Sequence, residues 1–420
     1  MKKKLVTFLL IFFSLIDFSQ SRELSIQQLE ERKKIDLERK KKRDERGYKK
    51  FTKKINLTTD IIFITKERKI PAVLSNLDPI LDDEGFYGIQ LAIEDNLTTG
   101  RFLGHDYKVK MVQVSLDEDL EGEFKKLIKS GYTYFVVDLN SKEITKLSNL
   151  EESKNVLLIN IRSKEDNLRS ELCKPNLLHV APSYNMLADA LTQYLVKKRW
   201  KKWFLVIGPD KDDQNYADAL KKSAKKFNVK IKEERVWDFA SDLRRSAQKE
   251  IPIFTKGVNY DVMVVADEKG EFGEYLSYRT WDPKLIVGSQ GLKSTNWHRT
   301  HEQWGATQMQ NRFRRKSGRW MTSVDYSAWV AVRAIGEAVS RIQNNELQDI
   351  KEYLFSENFG IGAYKGVKVS FRKWNGQLRQ PILLSGARSM VSVSPQEGYL
   401  HPISELDTLG VDEPESSCKF

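Results

Sequence analysis

The sequence predicts an α/β protein made of two lobes, each built on a parallel β-sheet. From residue 60 onward, short runs rich in β-branched residues alternate with amphipathic helical stretches, the pattern of parallel strands joined by helices. The alternation runs through two successive blocks, and 420 residues are enough for two hydrophobic cores. The segments after the second block do not repeat the pattern, and we expect them to cross back between the lobes.

The first block begins with an apolar strand at Ile61–Thr65. A helix is predicted at Gly85–Asn96, because its apolar residues fall on one helical stripe. Ser183 is a good N-cap for the last helix of the block, which runs through Leu195. The remaining strands and helices predicted in this block are Tyr107–Val114, Glu118–Ser130, Tyr134–Val137, Ile144–Ser153, Val156–Asn160 and Leu177–Val180.

The second block begins with a strand at Lys202–Ile207. Tyr260–Ala266 is almost continuously apolar, as expected of a strand whose sheet is covered by helices on both faces. A long amphipathic helix is predicted from Ser323 to Ile342. The other predicted elements of this region are Gln214–Phe227, Val229–Val236, Asp242–Glu250, Leu285–Val287, and closing strands near Val367–Phe371 and Pro381–Leu384.

Residues 1–21 have the order of a cleavable secretory leader. Three lysines at residues 2–4 precede an apolar run over residues 5–16, and small polar residues follow at 19–21. The apolar run is too short to span a bilayer comfortably. We therefore expect a signal peptide and a periplasmic location.

The net charge of +12 is concentrated near the N-terminus. Residues 1–21 carry a net charge of +2, and residues 22–54 carry fourteen Lys or Arg against seven acidic residues, a net of +7. The remaining 366 residues hold only +3, so the charge distribution argues against a nucleic-acid partner. The basic arm, assigned to residues 22–59, is either a solvated spacer or a segment that contacts an anionic membrane surface.

The chain contains two cysteines, Cys173 and Cys418. In an oxidising compartment, two thiols of one chain pair more often than they stay free. A disulfide would tie the C-terminus to the body of the protein and add roughly 2–5 kcal/mol of stability. Two separate thiols remain the alternative at this point.

The order of these elements resembles the type I periplasmic solute-binding proteins of ABC importers, the branched-chain-amino-acid-binding kind. The resemblance covers about residues 60–385 and rests on GFYG (85–88) at the head of a helix, APS (181–183) before the last helix of the first block, and YKG (364–366) before the closing hairpin. It implies two Rossmann-like lobes joined by hinge crossovers, capture of a small-molecule ligand without catalysis, and an ABC transporter permease as partner.

The resemblance also implies a domain organisation. Lobe 1 would comprise residues 60–181 with about 305–370, and lobe 2 would comprise residues 182–304 with about 371–387. Residues 388–420 would form a C-terminal tail that packs back on the body.

Three strings resemble a narrower subgroup, which is associated with pyrroloquinoline-quinone-dependent alcohol oxidation: YRTWDPKLIVGSQGL (278–292), EQWGATQMQNRF (302–313) and LDTLGVDEPESSC (406–418). The subgroup implies a ligand that is either pyrroloquinoline quinone or an alcohol-derived substrate, and no cofactor of the protein's own. It also implies a periplasmic quinoprotein dehydrogenase as a further partner. The alternative to a transporter component is a sensory or scaffold module that acts with that dehydrogenase.

The candidate ligand-binding residues follow predicted strands or lie in the subgroup strings. Ligands of parallel sheets sit beyond the carboxyl ends of strands, and a flat carboxylated ligand needs arginine forks and aromatic faces. Arg162, directly after a strand, is the first choice. The alternative role of Ser183 is that of a plain helix cap. The alternative role of the tryptophans is packing in the hydrophobic core or between the lobes. The predicted set is Arg162, Ser183, Tyr184, Asp267, Arg279, Trp281 and Trp297, with Asn140, Ser141, Ser163, Glu268, Ser289 and Gln290 as further strand-end candidates.

No catalytic site is predicted. His298, His301 and Glu302 form a cluster that suggests metal chemistry, but their spacing is not that of a helical His-Glu-x-x-His site. The string GSQG (288–291) lacks the spacing of a nucleophile elbow. We therefore predict a binding protein that is not an enzyme and holds no metal.

Overall fold

Five parallel strands form the sheet of lobe 1. They are β1 (Leu57–Lys66), β2 (His105–Val114), β3 (Tyr134–Asp138), β4 (Leu157–Asn160) and β5 (Leu177–His179). Their order in the sheet is β2-β1-β3-β4-β5. The helices of this part of the chain are α1 (Phe86–Leu103), α2 (Leu120–Lys129) and α3 (Ser141–Ser148).

Both faces of this sheet are buried. In β1, Ile61 and Phe63 belong to one apolar core, whereas Ile62 and Ile64 belong to the core on the opposite face, because successive side chains of a strand point to opposite sides. This double burial explains why β1 is a continuous apolar run.

Lobe 2 is built on a seven-stranded sheet. Its strands are β6 (Lys202–Ile207), β7 (Lys230–Val236), β8 (Val262–Ala266), β9 (Leu285–Gly288), β10 (Leu292–Thr295), β14 (Ile382–Gly386) and β15 (Ser389–Ser394). The order is β15-β14-β10-β9-β8-β6-β7, parallel from β7 to β10 and antiparallel at β14 and β15. Its helices are α4 (Tyr184–Lys197), α5 (Lys211–Lys226), α6 (Leu243–Thr255) and α7 (Gly273–Arg279).

The chain then returns to lobe 1 with α8 (Ala306–Ser317), α9 (Ser323–Ile342) and α10 (Leu347–Leu354). Apolar residues of all three helices join the lobe 1 core. A small antiparallel sheet follows, formed by β11 (Ile361–Gly362), β12 (Lys368–Phe371) and β13 (Leu378–Arg379). The chain therefore passes between the lobes after β5, after β10 and after β13.

The computed structural model describes residues 53–69, 80–237 and 243–420, together with Glu38. The predicted leader lies outside these residues, as does most of the basic arm. Residues Ile55–Phe420 form one unit by internal contacts. In the part of the chain that the structure describes, none of the helices is long and apolar enough to cross a membrane.

The predicted fold class, α/β with two parallel-sheet lobes, is confirmed. The sequence pattern did not predict α7, α8, β10, β15 or the two-residue strands β11 and β13. In α8, only Ala306, Met309, Gln310 and Phe313 are buried, so its apolar stripe is too sparse to recognise. The strand β15 lies at a sheet edge and is mostly polar or partly exposed. The predicted helix at Ile144–Ser153 ends at Ser148, and a 3₁₀ turn over Glu151–Asn155 follows.

The predicted pairing of the two cysteines is confirmed. The sulfur atoms of Cys173 and Cys418 are 2.07 Å apart. Cys173 lies in the loop between β4 and β5, both strands of the lobe 1 sheet. The C-terminus is therefore tied covalently to lobe 1.

Candidate ligand-binding cleft

The lobe 1 side of the inter-lobe cleft is formed by charged residues at the carboxyl ends of strands. Asp138, the last residue of β3, is 2% exposed, and its carboxylate accepts hydrogen bonds from the Arg162 guanidinium. Arg162 Nη2 also lies 2.7 Å from Glu84 Oε2. On the other side, Arg68 Nη2 lies 2.7 Å from Asp138 Oδ2. Two arginines and two carboxylates thus form one ion-pair network, which we call the lobe 1 wall.

A tight turn at the end of β4 positions Arg162. The Asn160 side-chain oxygen accepts hydrogen bonds from the backbone N–H groups of Arg162 (3.0 Å) and Ser163 (2.9 Å). The Asn160 amide nitrogen donates to the Ser163 carbonyl at 2.8 Å. Because Asn160 is fully buried, this turn fixes the direction in which the Arg162 side chain leaves the strand.

Mutual pairing keeps the groups of the lobe 1 wall charged. Burial alone would raise the pKa of Asp138, but Arg162 and Arg68 outweigh burial and hold this pKa below its ordinary value. Burial alone would lower the pKa of Arg162, but Asp138 and Glu84 raise it above its ordinary value. A ligand carboxylate that binds Arg162 must therefore compete with two protein carboxylates.

Lys164 and Glu268 connect the two lobes directly across the cleft. Lys164 follows β4 of lobe 1, and its Nζ lies 2.5 Å from Oε2 of Glu268, which follows β8 of lobe 2. The Tyr184 hydroxyl, at the start of α4, donates to the same carboxylate oxygen at 3.4 Å, and the Lys164 ammonium lies 5.6 Å from the centre of the Tyr184 ring. Three side chains from both lobes therefore converge on one point.

The backbone at Glu268 is held by a buried carboxylate of α5. Asp213 Oδ1 accepts a hydrogen bond from the Glu268 N–H at 2.7 Å, and Asp213 Oδ2 accepts one from the Asp210 N–H at 3.1 Å. Burial raises the pKa of Asp213 to about 6. The pKa of neighbouring Asp212 is also raised, by burial and by the Glu268 charge. The lobe 2 side of the cleft is therefore rich in carboxylates.

Both carboxylate oxygens of Asp267 are occupied by hydrogen bonds from the start of a helix. Its carboxylate accepts hydrogen bonds from the backbone N–H groups of Glu271 (2.9 Å), Phe272 (3.0 Å) and Gly273 (2.7 Å). Ser289 Oγ in turn accepts from the Asp267 N–H at 2.8 Å. These contacts build the start of α7 and connect the ends of β8 and β9.

Ser183 and Asn140 also act as helix caps. The Ser183 hydroxyl accepts a hydrogen bond from the Met186 N–H at 3.3 Å at the start of α4. The Asn140 side chain accepts from the Glu143 N–H at 3.0 Å, and the Glu143 carboxylate accepts from the Asn140 N–H, which completes a capping box for α3.

A cavity of about 240 Å³ lies beside the first crossover. Both lobes and the C-terminal tail line it, through Asp166, Arg169, Ser183, Asn185, Lys222 and Glu415 among others. Asp166 accepts hydrogen bonds from the Asn185 N–H at 3.2 Å and 3.3 Å. Burial raises the pKa of Asp166 to about 6.

Arg279 and Trp281 lie at the amino ends of the lobe 2 strands, on the side of the sheet opposite to Glu268. The helix α7 starts at the carboxyl end of β8 and ends at Arg279, before β9 begins. Just beyond it, the Tyr260 hydroxyl donates to the Asp282 carbonyl at 2.8 Å, and Tyr260 precedes β8. Trp281 is 57% exposed, with the Lys256 ammonium 4.5 Å from its ring centre. The structure therefore does not bring these two residues together with Arg162.

Trp297 lies in the lobe 1 core. It is 2% exposed, and its ring stacks on Tyr326 at a centroid distance of 4.5 Å.

His301 contacts the Trp297 ring edge-on and its Nε2 lies 2.7 Å from the Tyr364 carbonyl oxygen. His298 Nδ1 lies 2.7 Å from Thr300 Oγ1. Among the described residues, no group of three or more His, Cys, Asp or Glu side chains could hold a metal ion.

Sequence reasoning missed several residues of the cleft. Glu84, Asp138, Arg68 and Lys164 were not predicted as site residues, although each lies within a few positions of a predicted strand or helix boundary. Asp138 ends an otherwise apolar strand, which is a signal that could have identified it. Among the predicted residues, the structure brings Arg162, Tyr184 and the strand-end candidate Glu268 to the cleft.

Comparison with known proteins places the fold. A family model described as "Periplasmic binding protein" matches residues 86–249. None of the curated protein sequences matches the chain.

Solved structures match almost over their full length. A branched-chain amino acid ABC transporter periplasmic ligand-binding protein from Burkholderia xenovorans has 16% sequence identity and a TM-score of 0.68, covering 86% of this chain and 99% of its own. A leucine-, isoleucine-, valine-, threonine- and alanine-binding protein from Brucella ovis, in its closed conformation, has 12% identity and a TM-score of 0.65, covering 83% of this chain and 98% of its own. A leucine-binding protein from Thermotoga maritima has 14% identity and a TM-score of 0.57, covering 80% and 98%. The chain therefore has the two-lobe fold of the type I periplasmic binding proteins.

Proposed function

We propose that this protein is the periplasmic substrate-binding component of an ABC importer and captures a small molecule between its two lobes. The observation that carries the proposal is the convergence of Lys164, Tyr184 and Glu268 from both lobes at the carboxyl ends of two parallel sheets. Ligands bind at such positions because strand ends and helix N-termini leave polar groups free to contact them. The solved proteins with this fold that are named above support the same function.

Capture would work by exchange of ion pairs. A ligand with an anionic group could take the place of Glu268 beside Lys164, and one with a cationic group could take the place of Lys164 beside Glu268. Closure of the lobes is favoured only as far as the ligand binds the closed form better than the open form. The resulting change of shape is what a permease would recognise.

For the ligand, we propose a compound linked to quinoprotein alcohol oxidation, either pyrroloquinoline quinone or an alcohol-derived substrate. The support is the likeness of the strings at 278–292, 302–313 and 406–418 to that subgroup. Arg68, Arg162 and Lys164 supply cationic groups that suit a carboxylated ligand. The strings at 302–313 and 406–418 lie at the start of α8 and in the tail. The string at 278–292 runs along β9 to Ser289, whose hydroxyl accepts a hydrogen bond from the N–H of Asp267, the neighbour of Glu268.

A titration series tests the function and the ligand class together. The purified chain is titrated by calorimetry and tryptophan fluorescence with pyrroloquinoline quinone, with short alcohols and their carboxylic acids, and with leucine. We expect saturable binding of one class at one molecule per chain, with the compound recovered unchanged. Chemical conversion of a compound, or no binding by any of the three classes, would contradict the proposal.

Two further experiments address the partner and the location. A pull-down from the native source should recover an ABC permease. Recovery of a quinoprotein dehydrogenase without a permease would favour the scaffold alternative, for which the basic arm at residues 22–59 offers a tether.

Sequencing of the mature N-terminus from a periplasmic fraction should show cleavage near residue 21, whereas an intact Met1 in the cytosol would contradict the periplasmic assignment.

A further inference from the structure

We propose that residues 395–420, the C-terminal strap, form a covalently closed connection between the lobes that limits how far they can move apart. The strap begins after β15 of lobe 2 and ends at a disulfide with lobe 1. It thus joins the lobes in addition to the three crossovers. The inference extends the proposed function but does not depend on which ligand the cleft takes.

The middle of the strap is anchored to lobe 2. The Gly410 N–H donates to Asp189 Oδ2 of α4 at 2.9 Å. The Lys226 ammonium of α5 donates to the carbonyl oxygens of Thr408 and Gly410, both at 3.1 Å. Leu409, between them, is fully buried in the lobe 2 core. A buried leucine flanked by satisfied backbone groups is a firm attachment, because releasing it would expose apolar surface and break the hydrogen bonds to Asp189 and Lys226.

The strap also contacts the segment that leads into the third crossover. Asp407 Oδ1 accepts hydrogen bonds from Arg372 Nε at 2.8 Å and from Arg379 Nε at 2.9 Å. Arg372 is 1% exposed and follows β12, while Arg379 ends β13. Apolar residues of both strands pack in the lobe 1 core, so this ion-pair cluster lies where the strap passes from one lobe to the other.

The end of the strap is anchored to lobe 1. Cys418 is bonded to Cys173 in the loop between β4 and β5. The Phe420 ring lies 6.3 Å from the ring of Phe355, which follows α10. The disulfide is the covalent part of this anchor, and the ring contact alone would be easily broken.

The length of the strap sets the limit on lobe separation. From Gly410 to Cys418 the chain advances eight residues, which reach at most about 29 Å when fully extended. Part of this segment is coiled into a 3₁₀ turn at Glu413–Glu415, so the folded strap is shorter. The cavity of about 240 Å³ lies between the strap and both lobes. Movement of the lobes would change this space and pull on the strap.

Hydrogen exchange tests the strap without any ligand. The Tyr184 N–H donates to the Lys164 carbonyl at 2.9 Å across the first crossover, so its exchange rate reports on relative movement of the lobes. We compare the oxidised full chain with the C173S/C418S double variant. We expect the amides of Tyr184 and Asn185 to exchange about tenfold faster in the variant, while Val264 in the middle of β8 stays as protected as before.

A second route avoids folding without the disulfide. The folded wild type is treated with a phosphine reductant, or a protease site is inserted between Glu415 and Ser416 and the folded oxidised chain is cleaved there. Both treatments should reproduce the faster exchange and should increase the radius of gyration measured by small-angle X-ray scattering. Unchanged exchange at Tyr184 and unchanged scattering after either treatment would overturn the strap. Since no ligand is used, these outcomes stay separate from a failure of ligand binding.

Discussion

Asp138 is the carboxylate that both arginines of the lobe 1 wall share, because Arg68 and Arg162 each form an ion pair with it. We expect Asp138→Asn to lower the free energy of unfolding by about 3 kcal/mol at pH 7, since it leaves Arg162 with one partner fewer in a mostly buried position. Urea unfolding measures the change. Glu151→Gln is the matched control: Glu151 forms an exposed ion pair with Lys154, and its loss should cost less than about 1 kcal/mol. Equal effects of the two variants would contradict the assignment.

The same carboxylate gives a pH dependence of known sign. The pKa of Asp138 in the folded protein is below its ordinary value, so its contribution to stability is fully present above the unfolded-state pKa of about 3.9. It is lost as the pH falls below that value through the folded-state pKa. The difference in unfolding free energy between wild type and Asp138→Asn should therefore shrink on acidification from pH 5 to pH 2. A difference that stays constant would contradict the role of the charge.

Asp166 should show the opposite dependence. Burial raises its pKa to about 6, so the folded state favours the protonated acid. Its contribution to stability is fully present below the unfolded-state pKa of about 3.9 and is lost as the pH rises through 6. We expect wild type to lose roughly 2 kcal/mol relative to Asp166→Asn between pH 4 and pH 7. Denaturant titrations at several pH values measure this difference, and parallel pH profiles would contradict it.

Single residues show both the reach and the limit of sequence reasoning. Arg162 and Glu268 could be identified because each follows a recognisable strand. The pairings with Glu84 and Lys164 could not be assigned, since Glu84 lies 78 residues before Arg162 in the chain and Lys164 lies 104 residues before Glu268. Trp297 looked like a ligand platform because tryptophan has a large flat face, but an aromatic residue between two lobes can equally well pack in a core. Which of these occurs depends on neighbours such as Tyr326, which only the fold supplies.

The contact between α1 and α9 depends on a glycine. A Cβ atom at Gly336 would lie 2.1 Å from side-chain atoms of Asn96. Asn96 cannot easily move, because its Nδ2 donates to the Val332 carbonyl at 3.0 Å and its Oδ1 accepts from Arg333. We expect Gly336→Ala to destabilise the protein by about 2 kcal/mol, measured by thermal or urea unfolding.

Gly362→Ala is the matched control for this contact, since nothing lies within 4 Å of a Cβ at Gly362. Its unfolding free energy should stay within about 0.5 kcal/mol of the wild type. If Gly336→Ala were equally neutral, the close approach of α1 and α9 would be wrong.

Elements were predictable where their apolar period was strong. Apart from α7, the alternation from β1 to β9 follows directly from buried strands and one-sided helices. The predicted boundaries shift by five residues or fewer, except that α1 extends seven residues beyond its predicted end. The short elements were missed because their apolar pattern is too short to recognise. The helix α7 is only seven residues long, and its start is fixed by hydrogen bonds to the Asp267 carboxylate just after β8. The strand β15 exists because β14 offers it a partner, with which it pairs antiparallel.

At the scale of the whole molecule, the order of strands and helices was sufficient to predict two lobes and crossovers between them. The pairing of Cys173 with Cys418 was predictable because the chain contains only these two cysteines. The path of the strap was not, because Asp407, Leu409 and Gly410 are held by residues from α4, α5 and the β12–β13 region. A polar tail has no apolar periodicity from which its path can be predicted, and its contacts depend on the surface that the rest of the chain forms on folding.

We propose that the ligand binds between the lobes where Lys164, Tyr184 and Glu268 meet, with a ligand carboxylate beside Lys164. The sharpest test is the affinity of the compound identified in the titration series for the wild type, Lys164→Gln and Arg279→Ala. We expect Lys164→Gln to weaken binding at least about tenfold, or 1.4 kcal/mol, because it removes the cation that the ligand carboxylate would contact. Arg279→Ala, at the amino ends of the lobe 2 strands, should change the affinity by no more than about twofold. Full affinity in Lys164→Gln, or loss of binding in Arg279→Ala, would rule out a ligand site at this contact.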